Sequence, residues 1–209
     1  MGYKLKSILD NVVYLHIETT GFSEENSEII DIGIVKVKNS EVIKYSTLIR
    51  PSTEELSNND LLKKYKKVDL MKARTLQEVE REIVGFLEDL PIICHNPDFI
   101  KRFLRKYIPR INNEFLNSKE FSGVLEPWRR EYTVETLLNE ITDLKDISFN
   151  NALDQSINIL FLINALLCRQ WTREEMNDKK KKSMYLILTR DYSLLNRWPW
   201  VKYLEKPLI

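Results

Sequence analysis

The sequence predicts an α/β fold, a mixed sheet flanked by helices in one domain. Three observations predict it: three short runs rich in β-branched residues open the chain, strand and helix patterns then alternate, and a long apolar helix follows them. The 209 residues are enough for one large α/β domain with a sizeable core. A content of 43% hydrophobic and 30% charged residues, with only five Gly and seven Pro, excludes a low-complexity or collagen-like chain.

Asn11 to Ile17 is a β-branched and aromatic run ending at Glu18-Thr19-Thr20-Gly21, the pattern of a buried strand that turns into a loop. Ile29 to Val37 and Glu41 to Arg50 supply two more strands, with Lys38-Asn39-Ser40 as a hairpin turn between them. Thr75-Leu76-Gln77-Glu78 fits a capping box, and Leu76, Val79, Ile83, Phe86 or Leu87 and Leu90 repeat at helical spacing until Pro91 stops the pattern. Pro91 to His95 reads as a fourth strand feeding a basic helix over Asp98 to Tyr107. Val124-Leu125 is a weak fifth strand, Tyr132 to Ile141 a short helix and Asn150 to Cys168 a long helix with a wide apolar face. Trp171 to Lys182 is expected to be a polar helix, and the aromatic tail Ser183 to Ile209, with Trp198-Pro199-Trp200 and Tyr203, a cap or docking surface. Residues 1–170 therefore form the main domain, and 171–209 an extension packed on it.

Thirty-two Lys plus Arg against thirty-one Asp plus Glu give a net charge of +1, so bulk charge announces no nucleic-acid or membrane partner. The distribution says more: residues 1–60 sum to −4, residues 61–110 to +5 and the rest to zero. Cys94 and Cys168 lie in separate apolar runs and read as buried thiols rather than a disulfide. The first residues carry neither a secretory pattern nor a myristoylation motif, and the longest apolar run, Ile157 to Cys168, is broken by Asn158 and Asn164. A cytoplasmic protein with no membrane partner is expected.

Val13 to Gly21, followed by Glu28 to Val37, resembles the first motif and second strand of the DEDDh 3′–5′ exonucleases, the family of proofreading subunits. Later landmarks keep the order: Arg50-Pro51, the Thr75 helix, His95-Asn96 at a strand end, and Asn151-Ala152-Leu153-Asp154 opening the long helix. The resemblance covers roughly residues 10–168. It implies an RNase H-like core with a five-stranded mixed sheet, and an ancestor that hydrolysed nucleic-acid 3′ ends with two divalent metals.

Such chemistry needs several hard oxygen ligands around two cations while water attacks a phosphodiester. The family's Asp-x-Glu reads His16-Ile17-Glu18 here, which keeps the Glu and replaces the Asp by a softer nitrogen ligand, removing a negative charge where the shared metal would sit. Its second motif reads His95-Asn96-Pro97-Asp98-Phe99-Ile100, with Ile100 at the metal-binding Asp. Its third reads Asn150-Asn151-Ala152-Leu153-Asp154-Gln155-Ser156, with Asn150 at the general-base His and Gln155 at the last carboxylate. Asn150 cannot take a proton from water, and Gln155 is neutral. Asp98 and Asp154 sit roughly 200° and 100° out of helical phase with the lost ligands. Of the five positions only Glu18 is retained, so no cofactor is expected; Mg²⁺ or Mn²⁺ enters only if displaced carboxylates serve.

The two histidines also have structural readings: His16 paired with Glu18, and His95 bracing the strand-to-helix turn. Lys101, Arg102, Arg105 and Lys106 are either a solvated face or a nucleic-acid contact, and Lys179 to Lys182 a solvated helix end. Three functions compete. The first, better supported, is a catalytically inactive exonuclease-fold module that binds single-stranded nucleic acid or docks a partner. The second is an active exonuclease using Asp31, Asp98 or Asp154 as displaced ligands. The third is a structural subunit for a helicase, polymerase or other nuclease.

Overall fold

A computed structural model describes residues 9–52, 64–126, 129–144 and 147–168. Its sheet contains β1 (Val12–Thr19), β2 (Ile29–Lys38), β3 (Glu41–Leu48), β4 (Ile92–Cys94) and β5 (Phe115–Asn117) in the order β3-β2-β1-β4-β5. β1–β2 and β2–β3 pair antiparallel, whereas β1–β4 and β4–β5 pair parallel, so the sheet is mixed as expected. Asn39 and Ser40 take φ of 54° and 63°, the left-handed pair that lets a two-residue turn follow the strand twist.

Helices cover both faces. Val13, Leu15 and Ile17 of β1 pack in one apolar layer with Val79, Ile83 and Leu87 of α2 (Leu76–Leu87) and Phe103 of α3 (Pro97–Tyr107). Val12 and Tyr14 enter the opposite layer with α5 (Val134–Ile141) and α6 (Ala152–Cys168). A strand buried on both sides needs apolar residues at successive positions, which is why β1 reads as a continuous run.

α6 crosses β2 at very close range. A Cβ on Gly33 would stand 2.2 Å from the Ala152 carbonyl carbon and the Leu153 nitrogen, so glycine is required there. The Ser156 hydroxyl donates to the Gly33 carbonyl (2.7 Å), and the Ala152 N–H donates to buried Asp31 (2.9 Å). These contacts fix where the start of α6 lies over the sheet.

Several expectations need correction. The fifth strand is Phe115–Asn117 and not Val124-Leu125, which lie in α4 (Ser118–Leu125). Asn117 ends the strand and accepts the Lys119 and Glu120 N–H groups, turning the chain directly into that helix. α2 has its expected capping box but stops at Leu87, because Glu88 adopts φ 50° and its carboxylate is held by Lys36 (3.0 Å) and Lys38 (2.5 Å). A short helix, α1 (Lys67–Lys72), was not expected. Cys94 is buried, whereas Cys168 is exposed at the end of α6. The expected 171–182 helix and the aromatic tail lie outside the described residues.

Candidate active site

Alternation along β1 turns His16 and Glu18 to the α6 side, away from the layer holding Leu15 and Ile17. Their side chains meet, His16 Nε2 standing 3.6 Å from Glu18 Oε1. Lys64 approaches the same oxygen at 4.0 Å and donates to the Phe149 carbonyl at 3.0 Å. Burial raises the Glu18 pKa, but the hydrogen bond and charge of His16, with Lys64, outweigh it and hold the carboxyl below its usual range.

Across the strand pair, Glu18 stands opposite Asp31. Asp31 is 1% exposed, and one carboxylate oxygen accepts both the Ala152 N–H and the Tyr65 hydroxyl (2.8 Å). Burial pushes its pKa up; the two hydrogen bonds pull the other way, and the Glu18 charge adds to the rise. Burial and the Asp31 charge push the Tyr65 phenol up as well, so it stays a donor.

The other candidate positions do not join this group as ligands. Ile100 is buried in the apolar layer with Leu15 and Ile17. Asn150 is exposed, and Gln155 is half-buried in the first turns of α6. Asp154 reaches back to the Asn150 N–H (3.2 Å) and the Ser148 hydroxyl, closing the start of the helix in the manner of a capping box. Asp98 is exposed beside Lys101, Phe115 and Glu120, in a cavity of about 250 Å³ at the β5 edge.

His95 serves the scaffold, but by tying the end of β4 to the start of α4 and the segment before α5 rather than by bonding within the strand-to-helix turn. Its Nε2 faces the Tyr132 carbonyl and its Nδ1 the Ser118 hydroxyl (2.9 Å), which suits a neutral ring donating from Nε2. Burial pushes its pKa down to about 4. The basic helix is partly committed: Arg102 pairs with Glu24 (3.0 Å), and Lys106 donates to the Glu24 and Glu25 carbonyls of the loop after β1. Lys101 lies over the Phe115 ring, 5.2 Å from its centroid, and Arg105 is exposed.

Lys64 and Tyr65 escaped the sequence reading. They sit in Lys63-Lys64-Tyr65-Lys66-Lys67, a charge run of the kind that usually marks a solvated face. Nothing local in that run distinguishes the lysine that meets Glu18.

The RNase T-type exonuclease family matches residues 13–145. The chain belongs to this exonuclease family. Within it, the chain is 39% identical over 100 residues to a PolC-type DNA polymerase III of Thermotoga maritima, covering 47% of this chain and 7% of the polymerase. It is 28% identical over 203 residues to the 3′–5′ exonuclease DinG of Staphylococcus haemolyticus, covering 94% of this chain and 21% of that protein. E. coli exonuclease I in complex with a dA13 oligonucleotide superposes with a TM-score of 0.63 at 11% identity, over 90% of this chain and 45% of that one. The chain thus spans a minor part of its curated relatives, and exonuclease I establishes the RNase H-like fold.

The family's two divalent metals do not fit the residues found here. Among the described residues no three His, Cys, Asp or Glu side chains come together as a metal-binding group. Glu18 is already met by His16 and Lys64, and Asp154 is engaged by a backbone N–H and a hydroxyl. Asp31 is held through one oxygen by the Tyr65 hydroxyl and the Ala152 N–H, and its other oxygen is buried with no hydrogen-bond partner, one open oxygen beside Glu18. Two hard cations need far more anionic oxygen than one paired carboxylate provides.

Proposed function

We propose that this domain is a catalytically inactive member of the exonuclease family that binds single-stranded nucleic acid without metal. One observation carries the reading: the family's catalytic positions hold His16, Glu18, Ile100, Asn150 and Gln155, and none of the three substitute carboxylates stands ready as a ligand. Asp31 is buried, with one oxygen bonded and only the other open, Asp154 caps its own helix, and Asp98 faces the β5 edge.

Without metal bridges to phosphate, affinity comes from lysine and arginine and is strongly salt-dependent. Arg105 and Lys101 supply charge directly. Arg102 and Lys106 contribute through the loop they hold, whose Phe22 is 73% exposed and offers a ring for base stacking. The absence of carboxylates at positions 16, 100 and 155 also lowers the repulsion that phosphate meets. Relatives named as a polymerase and as DinG suit a module in a nucleic-acid-processing assembly. A cytoplasmic setting accords with this, and among the described residues no helix is long and apolar enough to cross a membrane.

The test is nucleotide release from a 3′-labelled oligonucleotide in Mg²⁺ or Mn²⁺, alongside anisotropy of a labelled single strand. The expected result is no release, no change on Glu18→Ala, and weak metal-independent binding that falls when Lys101, Arg102 and Arg105 become Ala. Release that vanishes in Glu18→Ala establishes the active-enzyme reading instead. Absent binding at low salt moves the function to a protein-docking subunit.

A further inference from the structure

The metals do not fit, yet Glu18 is not left as a lone buried anion. Its side chain is only 12% exposed, and an uncompensated carboxylate at that depth is costly. Two side chains adjacent in sequence converge on the place: Lys64 reaches Glu18 of β1 and the Phe149 carbonyl just before α6, while Tyr65 donates to Asp31 of β2. Asp31 in turn receives the first N–H of α6. Residues 64 and 65 thus tie together β1, β2 and the start of α6, the three elements that border the vestigial cleft.

We propose that Lys64 is the resident cation of this site, and that Lys64-Tyr65 form a strap closing the cleft over Glu18 in place of divalent metal. The ammonium supplies one positive charge to one carboxylate, a balance that two divalent ions could not reach here. Its second connection, the Phe149 carbonyl, anchors the charge at a defined point, because a backbone oxygen does not leave with a rotamer change. Tyr65 fixes the strap from the other side: its hydroxyl is bound to a carboxylate that is 99% buried. Resting on the function proposed above, the strap adds a restriction on how nucleic acid is held. A closed cleft admits no strand terminus to Glu18, so binding is indifferent to a free 3′ end.

A double-mutant cycle on the whole chain tests the strap, with Glu18→Gln and Lys64→Met made singly and together and followed by thermal unfolding. Lys64→Met is expected to lower Tm by a few degrees alone, and by less than half as much in the Glu18→Gln background. Equal losses in both backgrounds, or none in either, overturn the proposal, since a lysine serving only the Phe149 carbonyl gives additive losses. MnCl₂ alone is the second probe. Millimolar Mn²⁺ is expected to leave the wild-type Tm unchanged, and a rise would show that metal takes the place assigned to Lys64. Finally, a circular and a linear single strand of one sequence should bind with equal affinity, and a preference for the linear strand would show that ends enter the cleft. If neither strand binds, the binding function fails and the thermal cycle still judges the strap; if nucleotide release is seen, the inactive reading fails whatever the cycle reports.

Discussion

Two sets of residues at the start of α6 lie within a few positions of one another and obey different rules. Ala152, Leu153 and Ser156 form the seam against Gly33, where backbone meets backbone and no atom can be added. Asn150 and Gln155, which the resemblance aligns with the family's catalytic positions, are one exposed and one half-buried. The seam keeps its geometry because every neighbouring atom depends on it, whereas an exposed or half-buried side chain can change at little cost to packing. The packing constraint thus changes sharply within a few residues.

The sharpest way to break that contrast is to add one carbon at two glycines. Gly33→Ala drives a methyl into the α6 backbone, which cannot rotate away, and is expected to cost about 3 kcal/mol or more. Gly85, exposed in α2, has nothing within 4 Å of the same added carbon. Gly85→Ala should therefore stabilise by about 0.5–1 kcal/mol through the unfolded chain alone. Urea unfolding of both variants compares them directly. A Gly33→Ala protein that unfolds at the wild-type midpoint would mean that the seam is not what positions α6.

His95 tests the contrast from a residue that matches the family motif yet serves the scaffold. Its ring is neutral in the fold, with a pKa near 4, against about 6.5 in an unfolded chain. As pH falls from about 6.5 towards 4, the unfolded state takes up a proton that the folded state refuses, and stability is lost on the order of 2–3 kcal/mol. Glu18, whose carboxyl is held low, adds a loss only at still lower pH, and the raised Asp31 acts in the opposite direction there. Stability measured between pH 7 and 4.5 should fall in the wild type and stay nearly flat in His95→Gln. Parallel curves would remove His95 as the cause.

What was legible in the sequence follows the same division. The opening strands, the hairpin turn and the Thr75 capping box are written in local patterns that no tertiary contact overrides. The three-residue β5 carries no periodicity and exists because Ile92 and Cys94 pair with it, so no window of sequence could separate it from its surroundings. Glu88 ends α2 early through Lys36 and Lys38, which lie some fifty residues away in the chain. At the site, the His16–Glu18 pairing was readable from their spacing on one strand, and the structure brings the two together. Lys64 and Tyr65 were not, because their partners come from β1, β2 and the segment before α6. The exposure of Cys168 depends likewise on what stands next to the helix end rather than on its apolar neighbours.

The smallest expected effects come from two adjacent asparagines, and they probe the contrast most finely. Asn151 caps α6: its side-chain oxygen accepts the Asp154 N–H at 2.8 Å, and its carbonyl accepts the Gln155 N–H. Removing such a cap leaves a helix-start donor unpaired, so Asn151→Ala should cost about 1 kcal/mol. Asn150, which the resemblance aligns with the family's general base, meets Asp154 through its backbone N–H, which Ala retains. Asn150→Ala should therefore stay within about 0.5 kcal/mol of wild type, as surface substitutions away from special features do. Chemical denaturation resolves the difference between the two variants. A larger loss at Asn150 than at Asn151 would show that Asn150 carries a structural duty, and the division between seam and site would have to be redrawn one residue earlier.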